Sequence, residues 1–296
     1  MSMPVETIID QSSVASSQWS SDDERTLAES GFYWREKDSI KVLVCKPLEE
    51  AGFLNGFSTR SGGVSDFPKD SLNLAGFDED LAENIYENRR RFLRVLNGDL
   101  KLATAWQVHG VDVKAVKTDK DIANSEERFD ALVSDRSDTL VGVKTADCAP
   151  ILIGDPKTGS YAAMHSGWKG TAGKIITQAV EKLQREYGSD PVNMMAAVGP
   201  CASGKNYEVG LDVIDTFAAE FPSHEKYFTP TRPGHALVDL RAANTDLLAG
   251  VGVNAANIFV APFCTMERTD LFFSYRVEKK AYGKTGRLLS VIGRGK

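Results

Sequence analysis

Cysteine and histidine are both scarce, at four each in 296 residues. Cys45, Cys148, Cys201 and Cys264 are widely spaced and form no Cys-x-x-Cys pair, which argues against a disulfide framework and against a dithiol redox motif. A reducing cytoplasm suits such a chain. Basic surplus is also missing: 35 Lys and Arg face 41 Asp and Glu, for a net charge of −6. That balance offers nucleic acid no basic face. No apolar run approaches the roughly 18 residues of a membrane span, and no charged-then-apolar start marks a secretion signal. Internal repeats are absent too. What is present, at 42% hydrophobic and 26% charged residues, is the composition of a globular chain.

Residues 1–30 are rich in Ser, Asp and Glu and read as a flexible leader, most clearly from Gln11 to Glu24. Order is expected from Phe32 onward, in one catalytic domain over residues 31–296. Ile40 to Cys45 has strand character, and Gly52 to Ser65, with four glycines, reads as an irregular loop. Leu81 to Leu96 shows helical spacing, with Leu81, Ile85, Phe92 and Leu96 on one side and Gly98 as the stop. Short strands are expected at Val111–Val116, Ala131–Val133, Leu140–Val143, Ile151–Ile153 and Tyr161–Met164. A helix capped by Thr171 should then run to Gly188 with Ile175, Ile176, Ala179, Val180 and Leu183 inward. Further on come a strand at Met194–Val198 and helices at Leu211–Phe221 and Leu240–Ala249. Strands at Ile258–Ala261, Leu271–Tyr275 and Leu288–Ile292 complete the chain. Strands arrive in runs rather than alternating with helices, so the predicted class is α+β with a mixed sheet.

Three residues carry the chemistry. His109, Cys148 and His165, separated by 38 and then 16 residues, each end a short apolar run beside Gly or Pro. The spacing is too wide for a zinc finger but suits ligands on three neighbouring strand ends. Two nitrogens and a soft sulfur are a three-ligand catalytic set, with a fourth position left for water or substrate. Each residue alone also has a plain explanation, a turn histidine or a buried cysteine. Zinc is the favoured ion. Two His and one Cys also describe an electron-transfer copper site, so ligand identity leaves copper open.

The motifs around these residues extend nearly end to end. They include Thr59-Arg60-Ser61-Gly62-Gly63-Val64-Ser65, Trp106-Gln107-Val108-His109-Gly110 and Thr145-Ala146-Asp147-Cys148. Others are His165-Ser166-Gly167-Trp168-Lys169-Gly170-Thr171, Tyr207-Glu208-Val209 and Phe272-Phe273-Ser274-Tyr275-Arg276. In these the chain resembles the YfiH family, also called the polyphenol-oxidase or laccase-domain family and the peptidoglycan-editing factor family. The resemblance implies an α/β sandwich and zinc held by His109, Cys148 and His165. It also implies phosphorolysis of adenosine, inosine and methylthioadenosine, and deamination of adenosine. Ser166, Lys169 and Ala149 depart from the alanine, arginine and valine common at those positions. A lysine at 169 keeps the charge but loses the two-pronged grip on an anion.

Under that implied activity, Arg60 is a candidate phosphate donor and Lys169 a second anion candidate. Asp147 is a candidate proton carrier, although strand neighbours face opposite ways. Trp106, Trp168 and Phe272 are candidates to stack on a purine or to fill the core. Asn73, Arg241, Arg276 and Arg287 match motifs without an assigned role. Substrates would be a nucleoside and phosphate, and a homodimer is compatible with the sequence. Two other classes compete. A copper-dependent polyphenol oxidase would need several histidine-bound coppers, and His224 and His235, the remaining histidines, sit in loops expected to be exposed. A cell-wall amide hydrolase would use Cys148 as nucleophile and His165 as base.

Overall fold

The computed structural model describes residues 21–75, 80–96 and 100–295. Two six-stranded mixed sheets dominate it. The first runs, edge to edge, Phe32–Lys37, Ile40–Cys45, Phe53–Ser58, Leu288–Arg294, Thr139–Thr145 and Lys101–Ala103. The second runs Ile258–Val260, Met195–Val198, Ala149–Asp155, Ser160–Ser166, Ala131–Ser134 and Val113–Ala115. Most neighbours are antiparallel; the pairings of Lys101–Ala103, Val113–Ala115 and Ile258–Val260 are parallel.

The two sheets face each other, and alternate residues of each strand serve different cores. Leu43, Phe53, Phe57, Val141, Val143 and Ile292 from the first sheet meet Leu132, Leu152, Tyr161, Ala163 and Ala197 from the second. Val42, Val44, Leu140, Leu289 and Val291 point the other way, against Phe92 and Val95 of the helix Ala82–Val95. Ile151, Ile153, Ala162 and Met164 likewise leave the central core to pack on the helices Ile175–Tyr187 and Leu240–Gly250. The order is helix, sheet, sheet, helix. With both faces of each sheet covered, central strands become continuous apolar runs such as Ile151-Leu152-Ile153, all buried. Each such side chain stabilises the fold by about 1.5–3 kcal/mol. The α+β mixed-sheet sandwich expected from the sequence is the fold observed.

Several local expectations need correction. Ser21–Glu29 is a helix, not flexible leader, because Leu27 is buried in the central core against the first strand; residues 1–20 lie outside the described residues. Gly52 to Ser65 is not loop but two strands, Phe53–Ser58 and Ser61–Asp66. The side chain of Asn55 is buried there and bonds to the backbone of Cys45 in the adjacent strand. Leu81 is 58% exposed rather than inward, and the inward polar position is Asn88, which bonds Ser65, Val64 and Asn73. Gly98 lies outside the described residues.

Thr171 does not cap the long helix. It lies in a short turn of helix, Trp168–Ala172, and its hydroxyl donates to Gly167 O. The long helix instead begins at Ile175, after Lys174 in the left-handed region, and ends as expected at Gly188, also left-handed. Leu271–Tyr275 is not a strand: Ser274 caps a helix, Tyr275–Tyr282. Among the described residues no helix is long and apolar enough to cross a membrane.

Candidate metal centre

Strand register brings Cys148 and His165 together. In the antiparallel pair Ala149–Asp155 and Ser160–Ser166, Ala149 opposes Ser166 and Pro150 opposes His165, so Cys148 lies one residue beyond the pairing. His109 comes from a different direction, on the strap Trp106–Gly110. The Gln107 side chain pairs with Lys144 like a strand neighbour, donating Nε2 to its carbonyl at 2.6 Å and accepting its N–H at 2.7 Å. His109 itself has φ 60°, a left-handed conformation unusual for a residue with a side chain. The ligand-capable atoms of His109, Cys148 and His165 lie within 4.8 Å of one another. The sequence-predicted triplet is therefore one cluster, although His109 sits in a turn rather than on a strand end.

One buried carboxylate serves both histidines. Asp130 Oδ1 lies 2.8 Å from His165 Nδ1 and accepts the His109 N–H at 3.0 Å. Its Oδ2 accepts Val108 N–H at 3.1 Å and Gly110 N–H at 2.7 Å. Burial opposes its ionisation, but the bonds from His165 and the backbone N–H groups outweigh that and hold the carboxyl below its ordinary range. With Nδ1 engaged, His165 turns Nε2 to the cluster. Asp130 was quoted in no role by sequence reasoning. A charged residue beginning the apolar run Asp130-Ala131-Leu132-Val133 was the available signal.

The thiol fits a cation site in two respects. Burial would raise the Cys148 pKa, but His165 and His109 beside it lower it to about 6. His165 is pushed the other way, to about 9: burial disfavours its charge, and Cys148 and Asp130 override that. The space around the sulfur is also reserved. A Cβ added to Gly167 would sit 2.8 Å from Cys148 Sγ and 3.4 Å from His109 Cδ2. Two neutral nitrogens and a thiolate suit zinc as donors.

The cluster opens on a cavity of about 520 Å³. Trp106, Trp168, Tyr207 and Tyr275 give it aromatic walls, and Lys144, Arg276 and Arg287 give it positive charge. Asp147 lines it too, with φ 82°. Its carboxylate is tied down by Thr265 Oγ1 at 2.6 Å, Ser274 Oγ at 3.0 Å and Arg276 N at 2.7 Å. Burial nevertheless raises its pKa, those three bonds opposing.

The other candidates lie elsewhere. Arg60 does not line the cavity. Its guanidinium pairs with Glu278 at 2.7 Å, donates to Thr269 O at 2.6 Å and stacks 4.7 Å from the Phe273 ring centroid. Lys169 is exposed above the Trp168 ring, outside the lining. Phe272 is fully buried in the central core. Asn73 accepts the N–H of Arg287, and Arg241 donates weakly to Ala261 O. His224 and His235 are half-buried rather than exposed, and neither lines the cavity.

A two-sheet sandwich with a His-Cys-His cluster at an aromatic, cationic cavity defines the class, and comparison with known proteins agrees. A family model described as multi-copper polyphenol oxidoreductase laccase matches residues 54–295. The fold is similar to that of the hypothetical protein YfiH of Bacillus licheniformis, with a TM-score of 0.81 and 31% identity over 89% of this chain and 98% of that one. It is similar to YlmD of Geobacillus stearothermophilus at a TM-score of 0.82 and 31% identity, covering 90% and 99%. In sequence, a purine nucleoside phosphorylase of Deinococcus radiodurans is 38% identical over 240 residues, 81% of this chain and 88% of the relative. The purine nucleoside phosphorylase YlmD of Geobacillus stearothermophilus is 34% identical over 260 residues, 85% and 94%. The chain belongs to the YfiH, or laccase-domain, family.

Proposed function

We propose that this protein is a zinc-dependent purine nucleoside enzyme, with residues 31–296 acting as one catalytic unit. It would cleave adenosine, inosine and methylthioadenosine by phosphorolysis and deaminate adenosine. The observation that carries this is the convergence of His109, Cys148 and His165 at a nucleoside-sized cavity with flat aromatic walls. The relatives named purine nucleoside phosphorylase supply the substrate class.

Bound zinc would be held by His109, Cys148 and His165, and supplies Lewis acidity and hydroxide near neutral pH. In phosphorolysis the bond from the ribose C1′ to the purine breaks and its electron pair goes to the base. A phosphate oxygen bonds C1′, and the base takes up a proton. Trp106, Trp168, Tyr207 and Tyr275 offer the base faces to stack on. Arg276, Arg287 and Lys144 put positive charge where phosphate must enter. Asp147, held by three donors, positions the Cys148 turn rather than carrying a proton.

A copper oxidase is disfavoured by the ligand supply. Among the described residues one three-ligand cluster is present, and it uses half the histidines of the chain. The cell-wall amide hydrolase would use Cys148 and His165 as a nucleophile and base with no metal at all. One experiment separates the three: elemental analysis of protein purified without added metal, then a nucleoside panel with and without phosphate. Stoichiometric zinc with phosphate-dependent release of base supports the proposal. A metal-free protein that turns over no nucleoside would refute it.

A further inference from the structure

One wall of the cavity carries polar groups that the metal cluster does not use. Lys144 and Thr145 end the strand Thr139–Thr145, and Arg287 directly precedes Leu288, the partner of Thr145. Arg276 reaches the same cavity from the helix Tyr275–Tyr282. Thr145 is 2% exposed, and its hydroxyl has no hydrogen-bond partner. Folded proteins leave few buried hydroxyls in that condition, and at a cavity wall the missing partner points to a ligand.

The two guanidinium groups are held in place. Arg276 donates Nη1 to Glu208 O at 2.8 Å and lies 4.9 Å from the Tyr207 ring centroid. Arg287 donates to Gly286 O at 3.2 Å and lies 5.6 Å from the Tyr275 ring centroid. Stacking on a ring face leaves the planar edge of a guanidinium directed outward, the geometry that suits a phosphate's paired oxygens. Asp147 is the one carboxylate among the described lining residues, and Thr265, Ser274 and the Arg276 N–H engage its oxygens. The wall is therefore cationic.

We propose that Lys144, Thr145, Arg276 and Arg287 form the seat of a phosphoryl dianion. Two guanidinium edges, an ammonium and a hydroxyl would receive its oxygens. Its role as co-substrate rests on the nucleoside reading above; binding itself does not. Free inorganic phosphate and the phosphate of a nucleoside monophosphate share this chemistry. The seat takes the place of Arg60, whose guanidinium is committed to Glu278 away from the cavity.

The test is calorimetric titration of the full chain, as purified with its metal, with inorganic phosphate and separately with adenosine 5′-monophosphate. Wild type is compared with Thr145→Val and Arg276→Gln. At least one ligand should bind wild type, and each variant should weaken it about tenfold or more, the worth of a hydrogen bond to a charged group. Thr145→Val removes an unpartnered hydroxyl and should leave the melting temperature equal or higher. A clear fall in that temperature would show the hydroxyl already satisfied and overturn the proposal. So would a wild type that binds neither ligand, or variants that bind as wild type does. Phosphate-dependent nucleoside turnover with an unchanged phosphate KM in both variants overturns the seat and leaves the nucleoside reading standing. Variant-sensitive phosphate binding in a protein that turns over no nucleoside sustains the seat and removes that reading.

Discussion

Replacing Asp130 by asparagine should disable both histidines at once. The carboxylate has four partners at 2.7–3.1 Å, two on each oxygen: His165 Nδ1 and His109 N on one, Val108 N and Gly110 N on the other. Asparagine has the same shape but a single acceptor oxygen. If that oxygen faces His165, the amide NH₂ confronts two backbone N–H donors and releases the His109 turn. If it faces the turn, the NH₂ confronts His165 Nδ1 and moves the imidazole proton to Nε2, the nitrogen turned to the cluster. Either way two bonds are lost. At about 1.5–3 kcal/mol for each bond to a charged group, folding stability should fall by about 3 kcal/mol or more. Loss of an outer partner typically weakens a metal site about 10–100-fold, equivalent to about 1.4–2.7 kcal/mol. Zinc competition against a chromophoric chelator reads the affinity, and circular dichroism reads the fold. A folded Asp130→Asn protein that binds zinc as tightly as wild type would refute the reasoning. Nitrogen-15 NMR of the wild-type imidazoles gives a check free of any variant: Nδ1 of His165 should carry the proton, and finding it metal-bound would refute the same claim.

Three further outcomes follow from the same geometry. In metal-stripped protein, alkylation of Cys148 by iodoacetamide should rise with pH to half its limit near 6, because the thiol pKa is depressed from 9.0; a midpoint near 9 would contradict the influence of His165 and His109. Gly167→Ala should lower zinc content and cost about 1–3 kcal/mol by overpacking against the sulfur; unchanged zinc stoichiometry and melting temperature would show that the space is not needed. Arg60→Ala should destabilise the protein by about 3–5 kcal/mol, because it strands the buried Glu278 carboxylate. Urea unfolding measures that, and a selective rise in phosphate KM without loss of stability would restore the phosphate role once expected of Arg60.

The layers and the ligands were largely legible in the sequence, because both leave local marks. Runs such as Ile151-Leu152-Ile153 announce strands covered on both faces, and His109, Cys148 and His165 stand out as soft ligands in a chain with few of them. Contacts between distant segments were not legible. Arg60 looked like an anion donor beside glycines, yet its partner Glu278 is more than two hundred residues away in sequence. Thr171 looked like a cap until Asn244 and Ser166, from another helix and strand, joined its hydroxyl network. Asp130 gave only the faint signal of a charge opening an apolar run. Its four bonds depend on a turn 20 residues earlier and a strand 35 residues later. Arg276 and Arg287 could not be placed from the sequence for the same reason: only the folded chain brings Tyr207 and Tyr275 beneath them.

The strand Thr139–Thr145 belongs to one sheet and Ala149–Asp155 to the other, with Ala146, Asp147 and Cys148 as the whole connection. The two halves of the sandwich are thus hinged at the reactive sulfur. An ion gripping that sulfur together with His109 and His165 acts as a rivet through the hinge, so loading it should raise resistance to heat as well as supply chemistry. Lengthening this short link by even one residue would shift the thiol relative to both imidazoles, which leaves the connection little freedom to drift.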